Sequence, residues 1–298
     1  MKKGHRESTV GPWAEEKLKA LEDYIRAYNR ALKNKPFKRI YIDAFAGSPI
    51  SRIRLSEDPA NSEPTPFFED EQTATEQEKF VSGSPVRALN CSPGFHHHYF
   101  FDLDETRAQT LQLLVSESGR TDVEVRVGDC NPLLRRLAGK LNAWNLRGFA
   151  FLDPYGAHLE WRTLEALAKT GKIEVLINFP VAMAINRLIV KSADVPERWG
   201  AQLDACFGTN QWRDISYRKD LDLFGKETTR KEHDVARRLL DLYVGRLREI
   251  FPHVAPPRLI RNTRNAPLYY LIWAGPNEVG LKIARDVLRQ WEKVRRRA

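Results

Sequence analysis

The chain has little cysteine: Cys91, Cys130 and Cys206 are the only three in 298 residues. They are odd in number and scattered, with neither CxxC nor Cys/His spacing. That excludes a disulfide framework and a zinc module and points to a reducing, cytoplasmic setting. Long apolar runs are also missing. The longest are of strand length, and no charged segment followed by an apolar run opens the chain, so neither a membrane span nor a secretory leader is expected. No internal repeat is visible. The one histidine run, His96, His97 and His98, does not suggest a metal site, because adjacent strand positions point to opposite faces and cannot converge on one ion. Solvent-facing histidines are the expectation there.

Positive charge is in excess. The 48 lysines and arginines outnumber 39 acidic residues, for a net charge of +9 and a pI near 9.4. Such a chain attracts polyanions, of which nucleic acid is the commonest partner of a cytoplasmic enzyme; plain solubility is the alternative reading. Much of the charge clusters toward the C-terminus, at Arg218 and Lys219, 226–231, Arg237 and Arg238, 258–264 and 295–297.

The length suits one large domain, or one with a substantial insertion. Leu18, Leu21, Ile25, Tyr28 and Leu32 recur at helical spacing and predict an amphipathic N-terminal helix within 1–37. A strand over 39–46 (RIYIDAFA) then runs into Gly47, Ser48 and Pro49. Residues 50–83 are polar, largely acidic and punctuated by Pro59, Pro64 and Pro66, which reads as an insertion: a lid, or an internal mimic of nucleic acid. Beyond it strands at 99–103, 123–127, 148–152 and 174–179 alternate with helices at 105–118, 131–141 and 160–170. That alternation predicts an α/β fold, a parallel sheet with helices on both faces, over 38–191. An inserted helical and aromatic subdomain is expected at 192–251, and two closing strands (259–261, 268–273) with a basic helix at 252–298. Five parallel strands and a terminal strand pair make the Rossmann-like sheet of class I S-adenosylmethionine-dependent methyltransferases.

In such sheets ligands bind beyond the carboxyl ends of the strands. The first strand end, Asp43-Ala44-Phe45-Ala46-Gly47, offers a carboxylate for the cofactor's ammonium and a glycine for close approach to its amino-acid moiety, with Phe45 and Ala46 in the same turn. A turn-stabilising role for Asp43 is the alternative. Asp102 and Leu103 end the second strand, where a carboxylate can accept from both ribose hydroxyls; Asp104 reads as the cap of the following helix. Asp129 and Cys130 after the third strand face the expected adenine. Asp153, Pro154 and Tyr155 after the fourth suit an acceptor amine: a carboxylate and a backbone carbonyl accepting its two N–H bonds would localise the nitrogen lone pair, and an aromatic could stack on the base. Asp153 as a mere helix cap competes with this. Asn178, ending the fifth strand, could reach substrate or could only form a turn.

The motifs YIDAFAG (41–47), GSPVRAL (83–89), FFDLDETR (100–107), GDCN (128–131), FLDPYG (151–156) and INFP (177–180) resemble those of the three-Cys-motif partner proteins across nearly the whole chain. The resemblance implies a bacterial protein with a methyltransferase-like fold and, as a possible partner, a three-Cys-motif protein encoded nearby. Family members usually read AGPG where this chain has Ala46-Gly47-Ser48-Pro49, which predicts a tightened or reshaped cofactor loop. Asp153-Pro154-Tyr155-Gly156 is similar to the Asp-Pro-Pro-Tyr motif of amino-methylating enzymes and closer to the Asp-Pro-Phe-Gly of tRNA guanine N2-methyltransferases. The expectation is an S-adenosylmethionine-dependent enzyme methylating an exocyclic amine of a nucleic-acid base. The alternative is a non-catalytic subunit binding nucleic acid or the three-Cys partner, in phage defence or repair.

Overall fold

A computed structural model of the protein describes residues 8–10, 13–53, 79–141, 143–221 and 227–295. In chain order the first elements are β1 (Ser8–Val10), α1 (Trp13–Leu32), β2 (Lys38–Asp43), β3 (Ile50–Ile53), β4 (Lys79–Ser82), α2 (Ser84–Leu89), β5 (His97–Asp102), α3 (Glu105–Glu117) and β6 (Val123–Val127). Next come α4 (Cys130–Lys140), β7 (Leu146–Leu152), α5 (Trp161–Lys169), β8 (Ile173–Phe179), a π-helical turn (Val181–Ile185), α6 (Asn186–Leu188), α7 (Glu197–Phe207) and α8 (Trp212–Ser216). The chain closes with β9 (Tyr217–Leu221), β10 (Glu227–Lys231), α9 (Val235–Ile250), β11 (His253–Val254), β12 (Arg258–Arg261), β13 (Pro267–Gly275) and α10 (Glu278–Arg295).

The main sheet has eight strands in the order β11-β13-β8-β7-β2-β5-β6, with β12 also on β13. β6, β5, β2, β7 and β8 are parallel and β13 is antiparallel to β8. β11 and β12 pair with successive stretches of β13, from His253 opposite Gly275 to Arg258 opposite Leu271, and so form one interrupted edge strand. Strand order reverses beside β2, which puts the switch point, where doubly wound sheets bind ligands, between the ends of β2 and β7. This is the class I methyltransferase plan expected from the alternation.

Both faces of the sheet are covered, and strand alternation explains how. Ile40, Ile42, Ala150, Leu152, Ile272 and Ala274 point into one buried cluster with α4, α5, α7, α8 and α9. Their neighbours Tyr41, Phe149, Phe151, Leu271 and Trp273 point into the other, beneath α1 and α10. Apolar runs with no polar alternation are the sequence mark of strands buried on both sides. In the second cluster Tyr24 of α1 stacks on Phe149 at 5.0 Å and donates to the buried carboxyl of Glu174 at 2.5 Å.

Several expectations need adjusting. The first strand stops at Asp43 rather than 46, because Asp43 accepts from the Phe45 N–H (3.4 Å) and turns the chain. Of the acidic stretch 50–83, residues 54–78 lie outside the described residues, as do the lid and mimic readings placed on them. Its ends form β3 and β4, antiparallel to each other, with β1 parallel to β3. Within 192–251, α7, α8 and α9 pack into the sheet's own core: Phe207, Trp212 and Tyr243 belong to the first cluster, and Tyr243 stacks on Phe179 of β8 at 4.1 Å and 13°. His98 is not solvent-facing. It is fully buried, with Nδ1 3.3 Å from Asp122, and burial lowers its pKa to about 4. Among the described residues no helix is long and apolar enough to cross a membrane.

Because Tyr243 joins α9 to β8, Tyr243→Ala should cost about 3–5 kcal/mol and leave one cooperative urea transition. Two separated transitions would mean that 192–251 folds as an independent unit.

Candidate active site

At the switch point the first loop is tied to the second. Gly47 has φ +66°, a left-handed conformation that favours glycine, and its N–H donates to Asp102 Oδ2 at 2.7 Å. The other Asp102 oxygen accepts from the Asp104 N–H at 2.8 Å. Each carboxylate oxygen thus keeps a lone pair for a further donor, and the carboxylate is held in one orientation. Asp104 caps α3 as expected, accepting from the Arg107 N–H at 3.0 Å.

Asp43 is in a different situation. It is completely buried, and its carboxyl accepts from Tyr41 Oη at 3.2 Å, from the Phe45 N–H and from the Ser84 side chain. Burial pushes its pKa up to about 7, the Ser84 hydrogen bond opposes the rise and the neighbouring Asp153 charge adds to it. Its place is beneath the loop, so the structure does not bring it to the surface of the edge, where a cofactor ammonium would meet it. The turn-stabilising alternative describes its contacts. Ala46 is likewise buried, with its N–H on Phe101 O at 2.8 Å, and Phe45 packs against the core.

The departure at Ser48-Pro49 has a structural counterpart. Gly83 donates its N–H to Pro49 O at 2.8 Å, and a Cβ on Gly83 would collide with the Ser48 carbonyl oxygen. The close approach of backbones therefore occurs between the loop and Gly83, across the root of the insertion. Ser84, the next residue, is the one that bonds Asp43.

On the far side of Asp102 the edge is apolar. Leu103 is 77% and Val127 51% exposed at the adjoining ends of β5 and β6, a surface suited to a flat base. Asp129 caps α4, accepting from the Asn131 N–H at 2.8 Å and from Asn131 Nδ2 at 3.0 Å, and remains exposed beside them. The Cys130 thiol turns into the core, where burial raises its pKa, so only its backbone belongs to the edge. The Asp102 carboxylate, the turn at Gly47 and the exposed Leu103 and Val127 have the chemistry that the ribose, amino-acid and base parts of S-adenosylmethionine would require.

At the other side of the switch point Asp153 does not cap a helix. Its Oδ1 accepts from Asn178 Nδ2 at 2.5 Å, and its Oδ2 is ion-paired with Lys17 of α1. The side chains of Lys17 and Asp153 are only 14% and 22% exposed. Asn178 is buried, and among the described residues its Oδ1 has no hydrogen-bond partner. Pro154 is buried beside Asp153, whereas Tyr155 is 62% exposed. The structure thus brings Asp153, Pro154, Tyr155 and Asn178 together at the ends of β7 and β8, and Gly47, Asp102 and Leu103 together at the ends of β2 and β5. Among the described residues no cluster of His, Cys, Asp and Glu is placed to hold a metal.

Lys17, Gly83 and Ser84 were missed by the sequence reading. Lys17 had a signal: it continues the spacing of Leu21, Tyr24 and Tyr28, all buried on one face of α1. A lysine in line with a buried stripe calls for an anionic partner. Ser84 and Gly83 follow the long insertion, and nothing local marks their return to the first loop.

No family model matches the sequence, and no curated protein does. Among solved structures, a Legionella pneumophila protein superposes with a TM-score of 0.45 at 13% identity, covering 90% of each chain. A candidate S-adenosylmethionine-dependent methyltransferase from Listeria monocytogenes gives 0.38 at 12% identity, covering 88% of this chain and 100% of that one. YhhF of Escherichia coli, described as a candidate methyltransferase, gives 0.30 at 13%, covering 70% and 84%. Likenesses of this size leave family and activity to be argued from the site itself.

The raised pKa of Asp43 sets a pH dependence. Below about pH 4 both folded and unfolded chains hold the proton; between there and about 7 only the folded chain does, so its contribution to stability is lost as pH rises through that window. Glu174, also raised to about 7 by burial, acts with the same sign. Asp43→Asn should flatten the decline by up to about 1.4 kcal/mol per pH unit near its middle, measured by urea unfolding across the range. An unchanged slope would show Asp43 ionised in the fold.

Proposed function

We propose that the protein is an S-adenosylmethionine-dependent methyltransferase whose acceptor is an exocyclic amine of a nucleic-acid base. The observation that carries the reading is that Asp153 already holds a nitrogen: the Lys17 ammonium sits on one oxygen while Asn178 donates to the other. An acceptor amine has the chemistry to take that place. With Lys17 withdrawn, one N–H donates to Asp153 and the other to the unsatisfied Asn178 Oδ1, drawing the nitrogen toward a pyramidal geometry. Such an amine is a weak nucleophile, and most of the rate comes from holding it in line and from the fixed charge beside it. Asn178 gives its own N–H to a carboxylate, which polarises its carbonyl oxygen as an acceptor.

S-adenosylmethionine, when bound, supplies an electrophilic methyl on a sulfonium. Asp102 would hold its ribose hydroxyls, Leu103 and Val127 its adenine, and the turn at Gly47 would leave room for its amino-acid part. The exposed Tyr155 offers a face on which an unpaired or flipped-out base can stack. The net charge of +9 supports a polyanionic substrate.

A second reading has one observation in its favour. Because Lys17 and Asn178 occupy both Asp153 oxygens, the edge can also be that of a non-catalytic subunit, with this ion pair as a permanent structural tie and nucleic acid or a three-Cys-motif protein as partner. The test is transfer of labelled methyl from the cofactor to total RNA or DNA. Incorporation that falls by about 100-fold or more in both Asp153→Asn and Asn178→Ala is expected for catalysis. Transfer at the wild-type rate in either variant would remove the assigned role, and no transfer by the wild type would favour the second reading.

A further inference from the structure

β9 and β10 form a two-stranded antiparallel ribbon separate from the main sheet. Its root is fastened to the segment that leaves β8. Lys231 donates to the carbonyls of Asn186 (2.8 Å) and Ile189 (2.6 Å), and Tyr217, its cross-strand partner, donates to Val190 O at 2.8 Å. That segment continues from the π-helical turn, whose Ala184 lies against the acceptor loop: a Cβ on Gly156 would come within 3.9 Å of Ala184 Cβ. The ribbon is therefore rooted next to Asp153-Pro154-Tyr155-Gly156.

Its register concentrates positive charge. Arg218 and Arg230 are directly opposite each other, and both are exposed. Successive strand residues point to opposite faces. Since Tyr217 and Lys231 turn toward 186–190, the two arginines face away from the body. Lys219 in the ribbon, and Arg187 and Lys191 in the segment to which its root is fastened, are exposed, and Lys191 lies close enough to reinforce the burial that lowers the Lys231 pKa. Acidic residues interrupt the ribbon toward its tip, at Asp220 and Glu227.

We infer that this ribbon is the nucleic-acid docking arm of the site, with Arg218 and Arg230 gripping backbone phosphates so that a base is delivered to Tyr155 and Asp153. A two-stranded ribbon is narrow enough to lie in a groove or along a single strand. Arginine also suits phosphate better than lysine does, through its paired, planar donors. The inference rests on the nucleic-acid reading above and deepens it by naming the surface.

The experiment is a titration of the full-length protein into fluorescently labelled 20-nucleotide single-stranded RNA and 20-base-pair DNA across a salt series, wild type against Arg218→Gln/Arg230→Gln. The expected result is wild-type binding that weakens steeply with salt, and a salt slope lower by about one per arginine in the double variant. S-adenosylhomocysteine affinity and thermal midpoint, measured in parallel, should be unchanged. Binding by the variant with the wild-type affinity and slope would overturn the ribbon assignment while leaving the nucleic-acid reading in place. Absence of wild-type binding to both probes would overturn the two together. A fallen thermal midpoint would move the comparison to Arg218→Lys/Arg230→Lys, which keeps the charge: affinity between those of wild type and the glutamine pair supports phosphate contact, and affinity equal to that of the glutamine pair contradicts a charge-based grip.

Discussion

The working edge depends on one carboxylate held by two loops. Asp102 ends β5 and accepts backbone N–H groups from Gly47 and from Asp104, so it fixes the loop after β2 against the loop after β5 on one side of the switch point. A carboxylate left nearly buried without those donors would be costly, and a loop at Gly47 without that acceptor would lose its anchor. The same two bonds fix the orientation of the carboxylate, so under the proposed function the tie that stabilises the edge would also set how Asp102 meets a ribose diol.

The acceptor side is organised by a second set of charges whose parts come from distant segments. α1 supplies Lys17, β7 supplies Asp153 and β8 supplies Asn178. Asp43 lies beneath them and senses the Asp153 charge. Two acidic strand ends in one fold consequently have separate duties: Asp153 stays paired with a cation and near the surface, and Asp43 is enclosed and tends to keep its proton. Pairing the half-buried carboxylate while enclosing the other avoids two adjacent unpaired negative charges at one strand edge. Under the proposed function the basic ribbon rooted beyond β8 would add a docking surface on that side, with cofactor held over β2, β5 and β6 and substrate over β7 and β8.

The alternation of strands and helices from β5 to β8 was legible in the sequence because short strands rich in β-branched and aromatic residues are interrupted by glycine, proline and capping aspartates at regular intervals. The carboxyl edge was legible for the same reason: each strand announces its end. Asp102 and Asp43, however, look alike in sequence, since both are acidic residues closing an apolar strand. What separates them is the return of Gly83 and Ser84 onto the first loop, after an insertion with no local pattern that fixes where it comes back. β3, β4 and α2 were missed because their pairing is set by that return and not by periodicity. The aromatic residues of 192–251 looked like a separate subdomain because they sit among charges in sequence. In space Phe207 and Tyr243 meet on Phe179 of β8 and Trp212 joins the same cluster, and helical spacing alone could not show which surface they cover.

The most direct test is calorimetric titration of S-adenosylmethionine and S-adenosylhomocysteine into the wild-type protein and Asp102→Ala, with Asp102→Asn keeping the loop contacts partly in place. Saturable wild-type binding that weakens by about 100-fold or more in Asp102→Ala, equivalent to ~2.7 kcal/mol, is the predicted result. Wild-type protein that binds neither ligand, or an Asp102→Ala variant that binds as tightly as wild type, would contradict a cofactor site built on this carboxylate.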